Sequence, residues 1–313
     1  MTSPSEHANE MPVEPTGAPI AQPTGTAAIR TPGAVQPSFD KPMRIFWSRA
    51  STKFFTVLLF VIVAICFIGP FFTGNPNALV GETLQGPSSE HWLGTDNLGR
   101  DLFNRMLIGG QVSILVGVAV AVLCLTIAVF VGGLAGFYGG VADTILMKVS
   151  EFFQVIPGIV FALVAAALLG ANVTMIVIIL ALTMWPQVAR IIRAECLKIR
   201  EFGFVESAQA VGFRPIRIFW SDVLPNAFPP VVVATTMLVA RGILAESGLA
   251  FLGIGDANFP SWGALLNTAQ AFMQSAWWLM LFPGLAIFLI VLAINILGDN
   301  LNDAYNPTIG KVK

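Results

Sequence analysis

Charge is scarce in this chain. Only 11% of its 313 residues are Asp, Glu, Lys or Arg, less than half of the roughly 25% that coats a soluble globule. Such a chain cannot cover its own surface with polar groups in water, and a mean hydropathy of +0.76 puts it in a bilayer. Histidine is rarer still. His7 and His91 are the only two, so there is no HExxH pair and little for a histidine mechanism to work with. Cys66, Cys124 and Cys196 form an odd set without a CxxC, which argues against a disulfide frame or a thiolate metal site and for small buried residues. A GxxxxGK[ST] phosphate loop is missing as well, so the chain carries no nucleotide chemistry of that kind. With a net charge of −1 there is no general basic surface for nucleic acid.

Long uncharged runs are what the chain has instead. Residues 1–45 are rich in Pro, Thr, Ala, Gly and Ser without apolar periodicity, and they predict a disordered cytoplasmic tail. Because that polar stretch precedes the first apolar run, the run is expected to be a retained anchor and not a cleaved signal. Residues 54–72, 112–137, 145–170, 173–192, 227–250 and 277–297 are each long enough to cross a hydrocarbon layer of about 30 Å. The expected fold is therefore all-α: a polytopic membrane protein with six transmembrane helices. Residues 46–110 supply the first of them and an extracytoplasmic loop. The other five, with a cytoplasmic loop at about 195–226, make a core over residues 111–300, before a cytoplasmic C-terminal tail at 301–313.

Basic residues in short flanking loops orient such a chain. Arg44, Arg49 and Lys53 precede the first span, while Arg190, Arg193, Lys198, Arg200, Arg214 and Arg217 follow the fourth. Both groups should be cytoplasmic. Six spans then bring the C-terminus inside too, in agreement with Lys311 and Lys313, giving an N-in, C-in topology.

Between the fourth and fifth spans lies VESAQAVGFRPIRIFWSDVLPN. Its first part favours a helix, Gly212 sits where a helix ends in a left-handed residue, and Pro215 suits the first turn of another helix. Ile216, Phe219 and Trp220 fall at i, i+3 and i+4, hence on one face, and Pro225 ends the short helix. That face fits two docking sites equally well on physical grounds, the inner leaflet or a groove on a cytoplasmic protein.

Other polar residues interrupt the apolar plan. Arg241 and Glu246 lie within the fifth span, where each costs up to about 3 kcal/mol. Five positions apart, they are about 140° apart around the helix. Each should find partners on other helices, Arg241 at the translocation path and Glu246 in a structural or path-lining place. Pro157 should bend the third span, either shaping a cavity or relieving packing. Outside the membrane, Asp96, Arg100 and Asp101 cluster in GTDNLGRD, a turn-rich loop that is either tied down internally or offered to an external protein. Trp262, in Ser261-Trp262-Gly263, is either another such contact or an interfacial aromatic.

The order Glu206-Ser207-Ala208, Gly212, Leu224-Pro225 resembles the EAA signature of ATP-binding-cassette importer permeases. HWLGTDNLGRDLFNRMLIG, the Ile156-Pro157-Gly158 turn, LAESGLAFLGIG and ILGDNLNDAYNP extend the resemblance to the C-type subunit of dipeptide, oligopeptide and nickel importers, over roughly residues 46–307. Ser207 replaces the usual alanine, and Asp222 stands where peptide permeases commonly have histidine.

The resemblance implies a type I importer transmembrane fold in a bacterial or archaeal plasma membrane. It also implies a transport subunit that is not an enzyme, with ATP and Mg bound only by two partner ATPases and no cofactor or metal on this chain. The implied partners are a B-type second permease and an extracytoplasmic solute-binding protein, besides the lipid bilayer. Glu206, Ser207, Ala208, Gly212, Ile216, Phe219, Trp220, Leu224 and Pro225 would form the ATPase coupling element. The rival is a transporter or channel driven by an ion gradient, which would more often carry several mid-membrane carboxylates. Glu246 is the only clear one.

Overall fold

The computed structural model describes residues 40–305 apart from Ala257. The expected N-terminal tail, nearly all of it, and the last part of the C-terminal tail, with Lys311 and Lys313, lie outside those residues. Among the described residues the chain is helical, with no strand beyond two isolated bridges. Helix α1 (Asp40–Ser48) leads into α2 (Ala50–Ile68), which is peripheral. At its start Arg49 donates to Asn300 Oδ1 at 3.0 Å and pairs with Asp303 at 2.7 Å.

The second crossing, α3 (Leu102–Ala128), begins earlier than apolarity alone indicates, because Asp101 accepts from the Asn104 amide and caps it. A π-helical turn at Val129–Gly133 and α4 (Leu134–Tyr138) complete it. Among the described residues five helices are long and apolar enough to cross a membrane, and the expected third span is instead a bent pair, six spans in all if the pair counts as one. Helices α5 (Gly140–Val155) and α6 (Gly158–Leu169) meet at 80°. Pro157 has no amide proton to continue the ladder, and its ring forces Ile156 into an extended conformation. The expected bend is therefore a corner.

Helix α7 (Val173–Ile199) runs past the end of its apolar stretch, so Arg190, Arg193 and Lys198 stand on helix instead of loop. After two short helices, α8 (Gly203–Ala210) and α9 (Pro215–Ile218), the chain returns as α10 (Leu224–Phe251). Helix α11 (Trp262–Ala269) and α12 (Trp278–Tyr305) close the fold.

Small residues hold these helices together, since lipid tails are as apolar as leucine and supply no hydrophobic drive between spans. Helices α3 and α10 cross with Gly117 on Gly242; a methyl group on Gly117 would lie 2.5 Å from Ile243 Cγ1 and 3.1 Å from the Val239 carbonyl. Gly132 likewise lies against the Ala189 backbone of α7. Between these points Val120, Cys124, Ala128, Ala181 and Ala189 are wholly or almost wholly buried. All three cysteines are buried and unpaired, as the sequence suggested.

The outer loop is tied down internally. Asp96 is 3% exposed and accepts from the Leu98 and Arg100 amides at 2.8 and 3.0 Å. Its other oxygen meets Arg100 Nε at 2.7 Å and Arg105 Nη1 at 2.5 Å. Burial pushes the Asp96 carboxyl up, but those four donors outweigh it and hold it below the usual aspartate value. The reading of Asp96 as an external contact is thus corrected: its charge is consumed within the loop. Trp262 is corrected in the same way. It is 1% exposed, packs beside Gly110 and Cys66, and donates from Nε1 to the Met106 carbonyl at 2.9 Å. Of the loop cluster, Arg100 and Asp101 keep partly exposed side chains.

Two outcomes follow. Gly117→Leu should lower the apparent Tm in detergent, at a cost of about 1–3 kcal/mol or more from overpacking. Gly284→Ala, with open space around it, should leave Tm unchanged or raise it. Asp96 stabilises the loop at neutral pH because its folded pKa is depressed, and that contribution disappears as pH falls through the folded value. Asp96→Asn should therefore cost about 3–5 kcal/mol near neutrality by stranding Arg105, and the difference from wild type should shrink in acid. Hydrogen exchange of residues 94–105 would measure both.

Candidate functional site

The segment after α7 forms as its sequence requires. Helix α8 ends in a left-handed Gly212, φ +87°. The Phe213 amide donates to the Ala208 carbonyl at 3.2 Å and the Gly212 amide to Gln209 at 2.9 Å, which together satisfy the last carbonyls of the helix. Pro215 then opens α9. Pro225 does not end the short helix. A π-helical turn at Phe219–Val223 joins α9 to α10, and Pro225 falls in the first turn of α10, where a missing amide proton is tolerated.

The extra residue in the π turn rotates the face read from the sequence. Ile216 and Trp220 remain 46% and 45% exposed, whereas Phe219 is 1% exposed. Phe219 packs 5.6 Å from the Phe137 ring and fills the space left by Gly133. It is thus an internal anchor, not a docking residue. Trp220 lies edge-on to Phe130, 6.1 Å away. The two π turns among the described residues therefore meet here.

Of the other motif residues, Glu206 is exposed, Ser207 Oγ donates back to the Gly203 carbonyl at 2.8 Å, and Ala208 packs on the core. Leu224 is half-buried and Pro225 exposed. Asp222 accepts from the Ser221 hydroxyl at 2.6 Å and has no basic partner among the described residues. Sequence reasoning missed Val205 and Ile218, both fully buried and fixing α8 and α9 to the core. It also missed Val211 and Phe213, exposed beside Ile216, with Arg217 stacked 4.3 Å over the Phe213 ring. The exposed aromatics could have been seen as apolar residues in an otherwise charged segment.

Two arginines read only as topology signals prove to be clamps. Arg193 forms a two-point pair with Asp143 at the start of α5, one contact being Nη2 to Oδ2 at 2.6 Å. Arg200 reaches the Gly136 and Phe137 carbonyls at 3.4 Å each.

Within the spans, Arg241 and Pro157 line one cleft of about 390 Å³ between α5, α6, α7 and α10. Arg241 donates from Nη1 to Gln187 Oε1 at 2.6 Å. Glu246 turns elsewhere. It is 3% exposed and accepts from Ser113 at 3.1 Å and Ser247 at 3.3 Å. Of the structural and path-lining places expected for it, these contacts make Glu246 a polar tie between α10 and α3.

Residues 128–311 match the family described as binding-protein-dependent transport system inner membrane component. The chain is 37% identical to the dipeptide transport system permease protein of Bacillus subtilis, covering 81% of this chain and 80% of that one. It is 36% identical to the glutathione transport system permease protein of Pectobacterium atrosepticum, over 87% and 93%. Among solved structures, an inward-facing form of the MetNI methionine ABC transporter aligns with 66% of this chain and 98% of its own. The TM-score is 0.54 at 17% identity, which shows a shared fold. The polar segment between two spans, the fold and these likenesses agree: the chain belongs to the family of binding-protein-dependent transport system inner membrane components, as a permease subunit of an ABC importer.

Proposed function

We propose that this permease moves di- and oligopeptides, or solutes of similar size, as one of two transmembrane halves in a bacterial or archaeal plasma membrane. A homologous B-type permease supplies the other half. Two ATPase subunits hold ATP and Mg on the cytoplasmic side, and a binding protein delivers solute from outside. The chain itself binds no nucleotide and catalyses no reaction. The names of the relatives, which specify dipeptide and glutathione transport, support peptide-like cargo. Basic residues before α2 and around α8 and α9 support an N-in, C-in orientation.

One observation carries the mechanical part of this reading. Ile216 and Trp220 stand exposed, as do Val211 and Phe213, on the short helical unit that leads into α10, while the adjacent Phe219 is seated against Gly133 of the first π turn and Phe137 of α4. An exposed apolar cluster of this kind suits a docking groove. A partner that grips Ile216 and Trp220 would push on Phe219, and through Gly133 and Phe137 on the end of the α3–α4 crossing. Glu206, Ser207 and Ala208 hold the supporting helix, Gly212 sets its angle to α9, and Leu224 and Pro225 begin the climb into α10.

The double variant Ile216→Ala, Trp220→Ala should fold and reach the membrane normally. Anchors of this type are worth about 2 kcal/mol or more, so ATPase association should weaken by tenfold or more and ATP-driven uptake in proteoliposomes should fall with it. Phe219→Ala should instead cost about 3–5 kcal/mol of stability through its cavity, visible as a lower Tm of the isolated permease. Wild-type uptake by the double variant would rule out this coupling surface.

A further inference from the structure

Arg241 differs from the charged groups that the fold ties down. Glu246 has two hydroxyl donors, and Arg193 and Arg105 each have a carboxylate. Among the described residues, Arg241 has only the neutral Gln187 oxygen, although it lies well inside α10. Its side chain is exposed along one face of α10 within a membrane-spanning segment, and an intramembrane charge of this kind marks a ligand path by default.

Its setting is a built cleft. Gln187 and Thr183 approach from α7, Gln154 from α5, and Pro157 from the corner at which the third crossing breaks. Some of these polar groups are already engaged: Thr183 Oγ1 donates to the Leu180 carbonyl at 2.9 Å, and Gln154 Nε2 to the Ser150 carbonyl at 3.2 Å. Gln187 fixes one edge of the guanidinium, so the remaining N–H groups of Arg241 are aimed by a neighbour that does not discharge them. Among the described residues no acidic side chain lines the cleft; Glu151, one turn from Gln154 on α5, is paired with Lys148 at 2.8 Å. The other walls, including Leu244 and Ile156, are apolar.

We propose that this cleft is a solute-binding station that recognises a free carboxylate. Arg241 accepts the carboxylate in the two-point geometry natural to guanidinium, Gln187 is the positioning residue, and the apolar walls take the rest of the solute with little discrimination. This deepens the peptide reading above, and rests on it for the identity of the solute: the group held would be the C-terminal carboxylate of a peptide in transit. A cleft of about 390 Å³ is within the range of small-molecule sites.

The test uses the reconstituted importer with its ATPases and binding protein, and two probes, glycyl-leucine and glycyl-leucinamide, which differ only at the carboxyl end. In a first arm, Arg241 is labelled with phenylglyoxal and quantified by mass spectrometry. Glycyl-leucine should protect Arg241 at least several-fold better than the amide, and Gln187→Ala should weaken that preference. In a second arm, Arg241→Gln should lower uptake of glycyl-leucine about tenfold, with Arg241→Lys recovering part of it. Equal protection by the two probes, or no protection by either, overturns the carboxylate site. Selective protection without uptake of the dipeptide by the wild-type importer would leave the site standing and refute the peptide cargo.

Discussion

Everything in this permease depends on how closely its helices can approach in a solvent that gives no reward for burying leucine. The contacts of Gly117 with Gly242, and of Gly132 with the Ala189 backbone, bring main chains near enough for dispersion to do what the hydrophobic effect does in water. Once α3 is fixed against both α7 and α10, the polar ties have defined geometry. Ser113 can reach Glu246, and its hydroxyl also accepts from the Trp262 amide at 3.2 Å. The same device recurs at the end of the α3–α4 crossing, where the absence of a side chain on Gly133 makes room for Phe219. Packing in the bilayer and the seating of the short helical unit are thus one construction.

Polar groups divide into those the fold consumes and those it leaves available. Asp96, Glu246 with its two serines, and Arg193 with Asp143 are internally satisfied, although Nε of Arg105, beside Asp96, is buried without a partner among the described residues. They hold helices and loops in place and offer nothing to a ligand. Arg241, Ile216 and Trp220 are not consumed, and they face respectively a cleft and a free surface. Burial and partner count separate these two classes where residue type does not.

That distinction also marks how far the sequence could be read. Five of the six expected spans, the left-handed Gly212, the two-helix unit and the separation of Arg241 from Glu246 follow from local chemistry and helical geometry, and were legible. The burial of Phe219 was not. It depends on an extra residue in the π turn at Phe219–Val223 and on a vacancy at Gly133, some 86 positions away in the chain. Asp96 and Trp262 resemble surface residues by type and context, and only the approach of Arg105 and Gly110 reveals them as interior. Pro157 announced a bend, but its size is set by what each half-helix packs against.

The corner between α5 and α6 has a mechanical meaning. No helical hydrogen bond runs from the α6 amides back into α5: the Val160 and Phe161 amides both turn to the Pro157 carbonyl. The angle between the two arms is therefore held by side-chain packing and a pair of backbone dihedrals. Altering it would break no ladder, so this crossing is far more compliant in bending than its continuous neighbours. A wall of the Arg241 cleft is therefore built from a joint that can bend without breaking a helix ladder.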